Sequence, residues 1–95
     1  MNNYHIIGIR WIAPTGNQPG RIKLSSHRFQ DSITVPFDYT FNSMSEQSMH
    51  LLNRIGFKVI GYGAYSDRDD VIITSTFEPL KHMLNVHGNG KKRKK

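Results

Sequence analysis

Residues 32–41 read Ser-Ile-Thr-Val-Pro-Phe-Asp-Tyr-Thr-Phe, and every odd position, Ile33, Val35, Phe37, Tyr39 and Phe41, carries a large apolar or aromatic side chain. Ser32, Thr34, Asp38 and Thr40 between them are polar, and Pro36 takes the remaining place. Alternation with a period of two sets the five large side chains on one face of a strand. That face is either the floor of a core or a platform for a partner. Pro36 has no N–H to give to a ladder, which puts this strand at a sheet edge or at a bulge.

The next segment decides between floor and platform. Ser43 is placed as a helix N-cap with Glu46 three residues on, and Met49, Leu52 and Ile55 then recur on one side, joined by Ser45 and Ser48 and widened by Leu51. Gly56 suits a left-handed C-terminal cap, so the pattern predicts a helix of roughly twelve residues. A helix with this stripe needs an apolar sheet to lie on. Ile33, Val35 and Phe37 are therefore assigned to the core, and Tyr39 and Phe41, near the strand end, remain as contact candidates.

The rest of the chain supplies strands. Residues 4–12 put Ile7, Ile9 and Trp11 on one face and Tyr4, Ile6, Arg10 and Ile12 on the other, as in a central strand. Residues 13–20 hold two prolines and two glycines and form a loop long enough to close over a partner. In residues 21–26, Ile22 and Leu24 face inward, and Arg21, Lys23 and Ser25 outward. Residues 57–65 and 71–77 are expected to make a hairpin around a charged turn, with a short helical turn at 80–86. The order β-β-β-α-β-β predicts an α+β domain, a five-stranded, mainly antiparallel sheet with one covering helix. A small, partly open barrel of the oligonucleotide-binding (OB) type has the same order of elements and is the alternative.

The net charge of +6 is unevenly distributed. Of thirteen basic residues, Lys91, Lys92, Arg93, Lys94 and Lys95 close the chain, leaving eight against all seven acidic ones. We expect one domain over residues 1–87 and a disordered basic tail over 88–95, which adds salt-sensitive phosphate affinity or serves only solubility. There is no cysteine, which excludes disulfides, thiolate metal sites and cysteine nucleophiles. The only apolar run near the N-terminus, at residues 6–9, is too short for a signal peptide or a membrane span. A cytoplasmic, non-membrane protein is the expectation.

No motif points to an enzyme. His5, His27, His50, His82 and His87 lack HxxxH or HExxH spacing, and Asp67, Asp69 and Asp70 lack the other ligands of a calcium loop, so no metal or other cofactor is expected. What stands out is cations near strand aromatics. Arg10, Arg21, Lys23 and Arg28 fall in the first two strands and the turn after them, with Trp11, Tyr39, Tyr62 and Tyr65 as stacking candidates. Single-stranded nucleic acid needs this mixture, because phosphates bind cations and unstacked bases bind rings. The leading expectation is a small non-enzymatic protein binding single-stranded DNA or RNA through these residues and the tail. The second is an interaction or homodimerisation module using an exposed edge, either the Pro36 strand or residues 71–77.

Overall fold

The computed structural model describes residues 3–66 and 69–88; the basic run of residues 91–95, with Asp67 and Arg68, lies outside them. The strands are β1 (His5–Ile12), β2 (Arg21–Ser26), β3 (Asp31–Pro36), β4 (Val59–Ala64) and β5 (Asp69–Thr74), with helix α1 (Met44–Arg54) between β3 and β4. A short helix α2 (Leu80–Met83) and a π-type turn (Leu84–Gly88) follow. The sheet order is β3-β2-β1-β5-β4, and every neighbouring pair is antiparallel. The expected α+β sheet-and-helix architecture is the one found. The barrel alternative is not, since β3 and β4 are two separate edges of an open sheet.

One face of the sheet carries the core. Ile7 and Ile9 of β1, Ile22 and Leu24 of β2, Ile33 of β3 and Ile72 of β5 are buried against Leu52 and Ile55 of α1, with Phe57, Leu80 and Met83. The stripe predicted for α1 lies against the sheet as expected, with Ser45 and Ser48 buried beside Leu52.

Both ends of α1 are set by local chemistry. The Ser43 side chain accepts the Glu46 N–H at 3.1 Å, and the Glu46 carboxylate turns back to accept the N–H of Asn42, one residue before the cap. At the other end Gly56, at φ 105°, lets its N–H reach the Asn53 carbonyl while the Phe57 N–H reaches that of Leu52. These two bonds make a Schellman cap, with buried Phe57 and Leu52 as its apolar contact.

Two strand ends fall well short of the sequence reading. β3 stops at Pro36 rather than running to residue 41: Phe37 still donates to the Gly20 carbonyl, but Asp38 then accepts from both the N–H and the hydroxyl of Thr40. A side-chain acceptor that captures nearby donors turns the chain out of the ladder, so Tyr39 and Phe41 lie off the strand. β5 ends at Thr74, whose hydroxyl donates to the Lys58 carbonyl and accepts the Thr76 N–H. β5 is also an interior strand, between β1 and β4, so residues 71–77 offer no free edge. Pro36 does mark an edge, as expected.

Candidate nucleic-acid interface

The face of the sheet opposite α1 has no covering element among the described residues, and its composition follows from register. Gly63, Val71, Gly8, Ser25 and Ser32 stand side by side across all five strands. An added Cβ at Gly8 or Gly63 would meet nothing within 4 Å. This low band is flanked on one side by Ile6 and Ile73, and on the other by Asp69, Arg10, Lys23 and Thr34. The result is a depression of about 540 Å³ between alkyl and charged walls, with His27 at one corner and Tyr65 at the other. Ile6 is 54% exposed and Tyr65 76% exposed, so both present apolar surface to solvent.

The charged wall is internally paired. Arg10 donates from Nε and Nη2 to the two carboxylate oxygens of Asp69, at 2.9 and 3.0 Å. The hydrogen bond and the negative charge of Asp69 raise the Arg10 pKa still further above its ordinary value. A bidentate pair fixes the guanidinium plane and offsets its charge. Lys23, opposite Arg10 in the β1–β2 register, is exposed. Arg21 follows along β2 with its Nε buried and without a hydrogen-bond partner. The expected stripe of Arg10, Lys23 and Arg21 therefore exists on one face, with its positive character resting on Lys23 and Arg21.

Arg28 is elsewhere. It sits in the β2–β3 turn at the other end of β2, its guanidinium 4.9 Å from the centre of the Phe77 ring and 5.9 Å from that of Phe29. These rings surround His5, which stacks on Phe77 at 5.6 Å and meets Phe29 edge-on at 5.4 Å. His5 is buried with both ring nitrogens satisfied: Nδ1 donates to the Thr76 carbonyl at 2.9 Å, and Nε2 lies 2.7 Å from the Ser26 hydroxyl. A carbonyl only accepts, so Nδ1 carries a proton, and Ser26, donating to Nε2, also accepts the Phe29 N–H. This histidine ties β1 to β2 and to the segment after β5.

The aromatic candidates separate in the same way. Tyr65 borders the depression. Trp11 lies on the α1 side, edge-on to Phe37 at 5.3 Å, and Phe37 is edge-on to Tyr39 at 4.8 Å. Tyr39 is 68% exposed at the outer end of this row, on a different face from Lys23. Tyr62 is in register with the buried Ile72, which also assigns it to the α1 side, at the edge, where it is 58% exposed. Of the residues picked out for binding, then, Arg10, Arg21, Lys23 and Tyr65 share the open face, while Trp11, Arg28, Tyr39 and Tyr62 do not.

The wall residues Ile6, Gly8, Ser25, His27, Asp69 and Val71 were not singled out from the sequence. For four of them the signal was present. Gly8 and Ile6 alternate with Arg10, and Ser25 and His27 continue the phase of Arg21 and Lys23.

Among the described residues no three histidine, aspartate or glutamate side chains come together to hold a metal ion, and no helix is long and apolar enough to cross a membrane. The fold and face define a class, an α+β domain with an open antiparallel sheet. Comparison with known protein families, curated proteins and solved structures finds no match.

Proposed function

We propose that this chain is a small, non-enzymatic, cytoplasmic nucleic-acid-binding protein that lays single-stranded DNA or RNA on the open face of its sheet. The observation that carries the reading is a solvent-facing depression with alkyl walls and a tyrosine at one corner, flanked by the Lys23–Arg10 row. Tyr65 offers a stacking ring and Ile6 and Val71 apolar support for bases. Lys23, Arg21 and the outer side of Arg10 take phosphates, and the residues 91–95 add counterion-release affinity. Each stacked base is worth ~1–3 kcal/mol and is tolerant of sequence.

The test is fluorescence anisotropy of labelled single- and double-stranded oligonucleotides across a salt series, with the full chain and a chain ending at His87. Single strands are expected to bind better, and removing the tail to flatten the salt slope without abolishing single-strand binding. Lys23→Glu is expected to weaken both forms, and Arg28→Glu to leave them nearly unchanged. Absence of binding at low salt refutes the reading. Binding that vanishes with the tail, with no preference for single strands, reduces it to a generic polycation.

A further inference from the structure

The two sheet edges are unequally protected. β3 begins with Asp31 and ends with Pro36, and the Asp31 carboxylate accepts the Lys81 N–H at 3.0 Å, docking α2 against this strand. Charge, proline, bulges and a covering element are among the devices by which sheets avoid edge-to-edge pairing. β4 has no charge, no proline and, among the described residues, no covering element, and its irregularity lies at its start, leaving the rest of the edge bare. Its sequence, Val-Ile-Gly-Tyr-Gly-Ala, contains neither charge nor proline, it pairs on one side only, and Ile60 and Tyr62 are 50% and 58% exposed. Ile60 is the additional residue of an irregularity between Val59 and Gly61, beyond which the strand is regular.

We propose that β4 pairs antiparallel with β4 of a second copy of this chain, about a two-fold axis at Tyr62. The argument for a second copy is self-complementarity. In this register Tyr62 stands opposite the same residue of the other copy, Gly61 opposite Gly63, and Ile60 opposite Ala64. Large apolar side chains thus meet an aromatic or small partner, and no like charges are opposed. The pairing centres on the regular part of β4, residues 61–64, with Ile60 of the irregularity as its outermost residue; it gives the edge backbone groups partners and covers both exposed apolar side chains. One seam of this length lies at the small end of specific interfaces, so the dimer exchanges, with dissociation in about the micromolar range or weaker. Since the axis is perpendicular to the sheet, both open faces look the same way and the two depressions share one continuous surface. The inference does not depend on single-strand binding.

Sedimentation velocity over a concentration series tests it, with the full chain and the exposed-site variants Tyr62→Lys and Ile60→Lys, whose folding is checked by circular dichroism. The unaltered chain is expected to dimerise, and each lysine to weaken the dimer at least tenfold. As the chain has no cysteine, Tyr62→Cys supplies a single thiol for disulfide capture, with Thr34→Cys on the other edge as control. Rapid capture at position 62 and little at 34 is the expected outcome, and it stands even if a lysine variant fails to fold. A chain that stays monomeric to millimolar concentration, a dimer indifferent to both lysines, or equal capture at the two edges overturns the proposal. An edge reserved for a foreign peptide yields the first of these results.

Discussion

Arg10 and Asp69 face each other directly across the β1–β5 seam and share two hydrogen bonds, so the guanidinium nearest the centre of the open face already has a carboxylate partner. The pair is exposed and adds little to stability. Its effect falls on the affinity of that face for anions. Asp69→Asn removes the competing charge and keeps an acceptor, so single-strand affinity is expected to rise a few-fold, with a salt slope steeper by up to about 0.7, the increment for one more phosphate contact. An unchanged slope in the anisotropy titration means that Arg10 does not touch phosphate.

His5 has a measurable structural role. His5→Phe keeps a buried ring among Phe29, Phe57 and Phe77 but leaves the Thr76 carbonyl without its donor and Ser26 without its acceptor. A cost of about 1–3 kcal/mol is expected, read as a lowered denaturant midpoint at constant slope.

Gly20 is required by Trp11. A Cβ built there would lie 2.9 Å from Cζ2 of the indole, and Gly20 also accepts the Phe37 N–H. Gly20→Ala is expected to displace the ring and destabilise the domain by about 1–3 kcal/mol. Trp11 is the only tryptophan, so a red-shifted emission spectrum reports the displacement directly.

Asp38 makes the turn after β3 sensitive to acid. Hydrogen bonds from the Thr40 hydroxyl and N–H lower its pKa below the ordinary 3.8. Because the folded value is the lower one, the contribution is fully present above the unfolded pKa and is lost as pH falls through the folded one. Amide exchange at Thr40 is expected to lose protection below about pH 4, corrected for intrinsic rates. Asp38→Asn removes that dependence.

Element types and the core face were legible because two periodicities alternate cleanly along the chain. Ile7, Ile9, Ile22, Leu24 and Ile33 follow the strand period, and Ser45, Ser48, Leu52 and Ile55 the helical one. Strand ends were less legible. Phe37, Tyr39 and Phe41 keep the strand phase, but the competition of Asp38 for donors is a local energy that the pattern does not carry. Pairing order was hidden for a different reason. Whether β5 joins β1 or forms an edge depends on contacts between residues about sixty positions apart, such as Arg10 with Asp69, and that order decides which residues of β4 and β5 stand beside Arg10 and Lys23.

The central place of β1 has a consequence for biosynthesis. β1, β2 and β3 leave the ribosome as a meander, but one flank of β1 is completed only by β5, and the face they share is closed only by α1 and the residues after β5. Contacts of such sequence separation are slow to form because loop closure precedes the energy gained. Until then Ile7 and Ile9 stand on a strand with one bare flank, so the chain is most exposed to wrong pairing while its last third is being made.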